Sequence, residues 1–228
     1  MSRVSLETSD LVIVGAGGAG SEARWIAGIM RPAFACVGFL DDNSERWGAT
    51  NDGLPILGGV ARAAALVDPE RTLVHVAVGR GAARARLVAI LKTQGFAFAT
   101  LIHPQSAIAE SATIGTGTMI GPFAVLAPHV QVDEHVLVNS HVGVGHHATV
   151  GAYSTLCPGV RVSGHCVVGK GVFLGSNAVI LPGMAIGDGA TVAASSMVVR
   201  RVAPRHTVMG VPARIVSKPA DSESTAQS

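Results

Sequence analysis

A strict six-residue spacing of branched aliphatic residues runs through the second half of the chain. Every sixth position from 102 to 198 is Ile, Leu or Val, seventeen times without a miss. About a quarter of the chain is Ile, Leu or Val, so chance gives such a run with odds on the order of 10⁻¹⁰. An α-helix repeats near 3.6 residues and a strand at 2, so neither explains this period. The pattern predicts a parallel β-helix of stacked coils.

The predicted coil fixes which residues stack on one another. Three six-residue units make one triangular coil of 18 residues, and successive coils lie about 4.8 Å apart. His146 should then lie beside Gly164, whose missing side chain leaves room against the imidazole. The same register stacks His141 between Phe123 and Gly159. A further column contains His129, His147 and His165.

Strand and helix patterns alternate before the repeat begins. The predicted strands cover 11–14, 34–40, 72–78 and 96–102, and the predicted helices cover 21–30 and 82–94. This alternation is typical of a small Rossmann-like parallel sheet. The predicted fold class is therefore an α/β N-terminal domain followed by a parallel β-helix of hexapeptide repeats.

The same patterns predict the domain boundaries. We expect the α/β domain over 1–102, the β-helix over 103–200 and a C-terminal segment over 201–216. The remaining residues, 217–228, are polar and are expected to be disordered.

A glycine-rich turn follows the first predicted strand. Gly15, Gly17 and Gly18 lie where a helix is expected to begin, which favours phosphate binding. Asp41 and Asp42 end the second strand and can accept hydrogen bonds from a base or ribose. The pattern resembles a dinucleotide fingerprint, but the domain is small for one. A nucleotide diphosphate-sugar fits better, while a dinucleotide and purely structural glycines stay as alternatives.

Composition excludes several classes of protein. The net charge of +2 argues against a nucleic-acid partner. Three cysteines without CxxC spacing indicate a reduced, cytoplasmic location. No apolar stretch approaches the ~20 residues of a membrane span, and residues 1–10 lack the apolar core of a signal peptide. The nine histidines lie mostly inside the repeat.

The repeat, together with Met209-Gly210-Val211-Pro212-Ala213, resembles the hexapeptide-repeat acyltransferases, which are left-handed β-helices and usually trimers. With the glycine turn and Phe39-Leu40-Asp41-Asp42, the whole chain is similar to the nucleotide-sugar N-acetyltransferases of bacillosamine and perosamine pathways. This resemblance implies a nucleotide-sugar substrate on the α/β domain. It also implies acetyl-CoA along the β-helix between the subunits of a homotrimer, and no metal.

The resemblance also implies roles for single residues. His146 matches the catalytic base, Asn139 a substrate contact, and Gly164 the glycine whose N–H faces the acetyl carbonyl. His147 stands where the family usually has Asp or Glu, and Thr155 where a His often lies near the thioester.

Further candidates extend this site. A direct role is open for His147 in catalysis and for His165 in substrate binding, with a surface pair at a subunit seam as the alternative. Arg200 and Arg201 follow the last coil and can meet CoA phosphates, unless they belong to a solvated exit segment. Pro212 lies in the ending that resembles the CoA-proximal segment of the family.

The predicted reaction moves acetyl from acetyl-CoA to the amine of a nucleotide-linked 4-amino-4,6-dideoxy sugar. A histidine with a pKa of ~6.5 can take the amine proton at neutral pH. One backbone N–H can stabilise the oxyanion by ~3 kcal/mol. No covalent intermediate is needed, so Cys157 and Cys166 are expected to be structural.

Three alternative functions stay open. An O-acetyltransferase acting on a sialic-acid-like sugar would use the same fold. His141-x4-His146 matches the zinc spacing of γ-type carbonic anhydrases, although Gln105 stands where the third ligand would be. A trimeric scaffold with a nucleotide-sensing domain would need no chemistry at all.

Overall fold

The computed structural model describes residues 10–30 and 34–217, which form an α/β domain followed by a β-helix. The α/β domain contains, in chain order, β1 (Asp10–Val14), α1 (Gly18–Ile29), β2 (Ala35–Leu40), β3 (Thr50–Asn51), β4 (Leu54–Gly58), α2 (Ala63–Leu66), β5 (Thr72–Val76), α3 (Gly81–Thr93) and β6 (Ala97–Phe98). Short 3₁₀ turns cover Ser44–Arg46 and Val60–Arg62.

The strands of this domain form one six-stranded sheet in the order β3-β4-β2-β1-β5-β6. β3 pairs antiparallel with β4, and all other pairs are parallel. β1 is buried on both faces, because Leu11 and Ile13 pack on the side of α1 while Val12 and Val14 pack on the side of α3. Burial on both faces explains the uninterrupted apolar run in its sequence.

The structure corrects several predicted boundaries in this domain. Helix α1 begins at Gly18, within the glycine turn. The predicted strand over 96–102 is two strands, since Ala97–Phe98 completes the sheet and Leu101–Ile102 begins the first coil. The hairpin β3–β4 was missed, although Asp52 and Gly53 both have the positive φ of a tight two-residue turn. Such an Asp-Gly pair is itself a hairpin signal.

Seventeen two-residue strands, β7 to β23, build the β-helix. They are Leu101–Ile102, Ala107–Ile108, Thr113–Ile114, Met119–Ile120, Val125–Leu126, Gln131–Val132, Leu137–Val138, Gly143–Val144, Thr149–Val150, Thr155–Leu156, Arg161–Val162, Val167–Val168, Phe173–Leu174, Val179–Ile180, Ala185–Ile186, Thr191–Val192 and Met197–Val198. Each ends on one of the seventeen aliphatic residues. A hairpin of β24 (Thr207–Gly210) and β25 (Ala213–Ser217) closes the fold.

The strands stack as three parallel faces, confirming the predicted left-handed β-helix. Each strand pairs with the strand 18 residues further on, as Leu137–Val138 does with Thr155–Leu156. The first face contains β7, β10, β13, β16, β19 and β22; the second contains β8, β11, β14, β17, β20 and β23; and the third contains β9, β12, β15, β18 and β21. Most of the six-residue positions, from Ile120 onwards, are fully buried in one continuous core.

A left-handed backbone conformation recurs at the corners of the coils from residue 117 to residue 195. Every sixth residue from 117 to 195 has a positive φ between 54° and 76°. Glycine accepts this conformation freely, and Asn, Asp and His are enriched in it among other residues. Five of the nine histidines occupy such corners: His129, His135, His141, His147 and His165. Much of the histidine content therefore follows from the corner geometry, whereas His146 has no such conformational reason.

The α/β domain packs on the first face of the β-helix. Leu101, Met119 and Leu137 point outward from that face and are buried in one cluster with Ala23 and Ile26 of α1. The corner between the third and first faces also meets this domain, since a β-carbon on Gly81 would lie 2.3 Å from the carbonyl oxygen of Tyr153. The corner between the second and third faces, which carries His146, lies opposite the first face.

Arg84 of α3 joins the two domains through its buried guanidinium. Its Nε donates to the carbonyl of His135 at 2.8 Å, and its Nη2 donates to the carbonyls of Tyr153 and Ser154 at 2.7 and 2.9 Å. Nη1 donates to the carbonyl of Val78. Burial lowers the pKa of Arg84 to about 10. Hydrogen bonds to carbonyl oxygens, rather than a carboxylate, hold this charge inside the junction.

The C-terminal end of the described chain is a strand. Ser217 ends β25, and the rest of the tail predicted to be disordered, 218–228, lies outside the described residues. None of the helices within 10–30 and 34–217 is long and apolar enough to cross a membrane.

Candidate active site at the second corner

The imidazole of His146 lies against the α-carbon of Gly164 on the next coil, as the register predicts. A β-carbon at position 164 would stand 2.8 Å from both Cε1 and Nε2 of the ring. Real β-carbons do not approach other atoms so closely, so only glycine allows the ring its position here. The structure thus brings together the predicted base and the predicted oxyanion donor.

The backbone N–H of Gly164 donates to no atom of the described chain. The fold does not depend on an N–H at this column, since two of its members, Pro128 and Pro182, have none. An unpaired N–H beside an imidazole is the arrangement needed to stabilise a developing oxyanion.

His146 belongs to a cluster of four histidines at this corner. Its Nδ1 lies 3.2 Å from Nδ1 of His147, within hydrogen-bond distance. The rings of His147 and His165 stack at 4.9 Å with 12° between their planes. His129 extends the stack on the other side of His147 at 4.8 Å. The predicted column is therefore confirmed, and His147 stands in the position where it can orient the ring of His146.

The surroundings of His147 favour its neutral form. Desolvation lowers its pKa from the ordinary value of 6.5, and the neighbouring His129, His165 and His146 lower it further. A neutral His147 offers a lone pair on Nδ1, which can accept the Nδ1–H of His146. In that tautomer Nε2 of His146 is unprotonated and free to accept a proton.

Asn139 lines a cavity between the two domains. The cavity, of about 110 Å³, lies between α1 and the first corner, with Glu22 and Trp25 on one side and Asn139 and Ser140 on the other. The Nδ2 of Asn139 donates to the carbonyl of Leu156 at 2.9 Å, which holds its side chain in place.

The glycines of the first turn divide into two kinds. A β-carbon on Gly15 would lie 2.9 Å from the carbonyl oxygen of Ala77, and Gly15 has a φ of +98°, so its role is to make the turn. Gly17 and Gly18 have nothing within 4 Å of an added β-carbon, and both are exposed at the start of α1. These two leave the positive end of the helix open to an anion.

Asp41 and Asp42, at the end of β2, accept hydrogen bonds from different segments of the chain. Asp41 uses Oδ2 to accept the N–H of Ala16 and Oδ1 to accept that of Asn43, both at 2.9 Å. It therefore shapes the glycine turn. Asp42 accepts the N–H of Val60 through Oδ1 at 2.9 Å, and its Oδ2 has no partner in the described chain.

Two arginines beside this turn were not singled out from the sequence. Arg46 donates to the carbonyl of Ala16 at 2.7 Å and lies 3.6 Å from Asp41. Arg86 lines a cavity of about 220 Å³ together with Gly15, Asp41 and Asp42. Both come from segments distant in the chain, and the sequence gives no periodic signal that would connect them to the turn.

Arg200 and Arg201 line a third cavity, at the end of the β-helix. This cavity, of about 310 Å³, is also lined by Arg214 of β25, a residue that the sequence did not single out. Among the described residues, none of the three arginines forms an ion pair. Pro212 lies in the turn between β24 and β25, where the Val211–Pro212 peptide bond is cis.

Thr155 is buried at the junction between the domains. Its hydroxyl donates to the carbonyl of Gly79 at 2.8 Å and accepts from Nη2 of Arg84 at 3.1 Å. Only 4% of Thr155 is exposed, so we leave it out of the cofactor contacts that we propose below.

His141 and His146 do not converge within one chain. His141 lies at the first corner, where its ring contacts Phe123 at 5.0 Å. The strand Gly143–Val144 separates it from His146. The zinc spacing considered from the sequence therefore does not bring these two rings together within one chain, because each lies at a different corner of the coil.

Two family models match the chain, one in each domain. Residues 10–91 match the PglD N-terminal domain, and residues 165–200 match the bacterial transferase hexapeptide repeat. No curated protein matches the chain by sequence.

Solved structures match almost the whole chain. The acetyltransferase domain of PglB from Neisseria gonorrhoeae is 28% identical, with a TM-score of 0.86, over 92% of this chain and 100% of that one. The structure of the same domain in complex with acetyl coenzyme A is 26% identical, with a TM-score of 0.84, again over 92% of this chain and 100% of that one. A mutant of perosamine N-acetyltransferase from Caulobacter crescentus, in complex with CoA and GDP-perosamine, is 24% identical over 94% of this chain and 100% of that one, with a TM-score of 0.85.

The fold and site together define a class of protein: a Rossmann-like α/β domain joined to a left-handed β-helix of hexapeptide repeats. Within that class, the chain is similar in domain order and in both family models to PglD-like sugar acetyltransferases, as the sequence predicts.

Proposed function

We propose that this protein is an acetyl-CoA-dependent N-acetyltransferase acting on a nucleotide-linked 4-amino-4,6-dideoxy sugar. The contact between His146 and Gly164 carries the proposal, because it joins a potential base to an unpaired N–H donor. Similar solved structures, one of them bound to acetyl coenzyme A, support this reaction class.

The reaction needs two proton transfers and the exchange of a C–S bond for a C–N bond. The neutral amine attacks the thioester carbonyl while Nε2 of His146 accepts the amine proton. The N–H of Gly164 stabilises the oxyanion as the carbonyl oxygen gains charge. The C–S bond then breaks, and the leaving CoA sulfur takes up the proton that His146 accepted, so an amide and CoA-SH result and His146 is neutral again.

His147 orients the base in this scheme. The family pattern has an acidic residue at this position, which would stabilise a protonated His146 by charge. In its Nε2–H tautomer, His147 can instead accept the Nδ1–H of His146 without a charge. We expect the protonated form of His146 to be less stabilised here than beside a carboxylate.

The nucleotide would lie on the α/β domain. The open helix start at Gly17 and Gly18 suits the diphosphate, and Arg46 and Arg86 add positive charge beside it. The free Oδ2 of Asp42 is available to the base or ribose.

CoA would lie along the β-helix towards its C-terminal end. Arg200, Arg201 and Arg214 surround one cavity without an acidic partner in the described chain, which suits a group of phosphates. Pro212 shapes the hairpin that brings Arg214 there.

The active site would be completed by a second copy of the chain. The α/β domain covers the first face of its own β-helix, while His146 lies at the opposite corner. A sugar held by one α/β domain therefore meets the His146 of a neighbour more readily than its own. This geometry supports a homotrimer with sites between subunits, in which His165 and Asn139 contact the sugar from the two sides.

The first experiment is a panel of nucleotide amino sugars with acetyl-CoA, following thiol release. His146→Ala should lower kcat by about 10²–10⁴ while both substrates still bind, and His206→Ala serves as a control away from the site. A near-normal kcat would remove His146 from the role of base. An O-acetylated product, identified by its cleavage with hydroxylamine, would instead support the O-acetyltransferase alternative.

Mixing two inactive variants tests the shared site. Gly18→Glu places a negative charge at the phosphate end of α1, and Gly28→Glu adds the same charge elsewhere on that helix as a control. Gly18→Glu and His146→Ala, co-expressed in equal amounts, should restore roughly a quarter of the wild-type activity if sites lie between subunits. Sites within one chain would restore none.

A further inference from the structure

Three exposed imidazoles converge at the second corner. Among the described residues, His146, His147 and His165 each offer a ring nitrogen within 4.8 Å of the others. The acetyl transfer proposed above uses one of these nitrogens as a base and one as an acceptor. The third imidazole, that of His165, takes no part in this proton transfer.

The spacing of the nitrogens suits a tetrahedral metal ion. Zinc binds imidazole nitrogen at about 2.0–2.1 Å, so two such ligands stand about 3.3 Å apart. The Nδ1 atoms of His146 and His147 are 3.2 Å apart. The third nitrogen lies within 4.8 Å, and rotation of an exposed ring can bring it closer.

The β-helix holds these ligands on a rigid frame. His147 and His165 lie 18 residues apart, with the N–H of His165 bonded to the carbonyl of His146 at 2.9 Å. All three side chains are exposed, which leaves a fourth position to solvent.

The chemistry of the ligands selects the type of ion. The group contains imidazoles and no carboxylate, a set that suits Zn²⁺, Ni²⁺ or Cu²⁺ and disfavours Mg²⁺ and Ca²⁺, which prefer oxygen ligands. The group does not include His141, so it differs from the zinc spacing considered from the sequence.

We infer that His146, His147 and His165 form a binding site for one divalent transition-metal ion, and that the bound ion inhibits the enzyme. Inhibition follows because a metal on Nδ1 of His146 leaves the ring proton on Nε2, the nitrogen with which His146 would accept the amine proton. The metal is thus a competitor of the reaction and not its cofactor. The binding rests on geometry alone, and the inhibition rests on the proposed function.

Calorimetric titration of the full chain with ZnCl₂ tests the binding. One ion per chain is expected, and His147→Asn and His165→Asn should each weaken its affinity at least about tenfold, since each removes one ligand. Asparagine tolerates the left-handed φ of these corners, as Asn177 does at φ 58°. His141→Asn and His206→Asn should bind as the wild type does.

Two outcomes would overturn the binding site: unchanged affinity in both His147→Asn and His165→Asn, or absence of saturable binding. Should a variant fail to fold, carbethoxylation of wild-type protein gives an independent measurement. Zinc should protect the three histidines from modification and leave His206 reactive, and equal reactivity with and without zinc contradicts the site.

Initial rates test the inhibition separately. Zinc should lower kcat with a midpoint near its Kd, and EDTA should restore the rate. Full activity at saturating zinc would overturn the inhibition while leaving the binding site intact. Lack of acetyl transfer to any amino sugar would overturn the proposed function without affecting the titration.

Discussion

The ring of His146 lies so close to Gly164 that a β-carbon on residue 164 would stand 2.8 Å from its Cε1 and Nε2 atoms. This relationship between two residues 18 apart places the proposed base and the proposed oxyanion donor side by side. It also makes a single methyl group a sensitive probe of the site.

Gly164→Ala should displace the imidazole and lower kcat by about 10²-fold, because small misplacements of reacting groups are costly. Steady-state kinetics should show little change in KM for either substrate. Gly143→Ala is the matched control, since its new methyl group would meet only the flexible side chain of Arg161, at 3.3 Å. Wild-type kcat in Gly164→Ala would mean that this glycine does not set the position of the ring.

His147→Asp should move the acidic limb of the pH profile of kcat to higher pH by about one unit. A carboxylate beside His146 stabilises its protonated form and so raises its pKa. His147→Asn can accept the same hydrogen bond without a charge, so its profile should stay where the wild type has it. Both residues tolerate the φ of 58° at this corner. An equal shift in the two variants would contradict an electrostatic cause.

Arg84→Ala should lower the stability of the protein by at least about 3 kcal/mol, because it leaves several buried carbonyls without a donor. In a chain of this size that corresponds to a loss of roughly 6–12 °C in Tm. Arg80→Ala, at the exposed start of the same helix, should change Tm by about 1–2 °C at most. Equal melting temperatures for the two variants would show that the guanidinium does not hold the domains together.

Stability should fall as the pH drops from about 6.5 towards 4. Burial lowers the pKa values of His75 and His135 to about 4 in the folded state, while in the unfolded chain they lie near 6.5. Between these values the unfolded chain binds more protons than the folded one, so the free energy of unfolding falls as the pH falls. Above about pH 6.5 both histidines are neutral in the folded and the unfolded chain, and they no longer lower the free energy of unfolding.

Urea unfolding at several pH values tests this dependence. His135 has no hydrogen-bond partner for either ring nitrogen among the described residues, so His135→Phe should weaken the pH dependence. Phe123 already occupies an equivalent left-handed corner at φ 57°. A pH dependence as steep as that of the wild type would exclude His135 as a contributor.

The six-residue period determined the β-helix from sequence because each repeat is a local unit. A strand of two residues, one buried aliphatic and one left-handed corner suffice to specify it, and stacking then repeats at 18 residues. The same register placed His146 beside Gly164 without any knowledge of the rest of the fold.

The tertiary structure alone decided how the two domains meet. Packing of α1 on the first face and the bonds of Arg84 across the junction join residues far apart in sequence, and no period predicts such contacts. Those contacts buried Thr155 and left His146 at the corner away from its own α/β domain. The closing hairpin placed Arg214 beside Arg200. Local repetition can be read along the chain, whereas contacts between surfaces depend on shapes that exist only after folding.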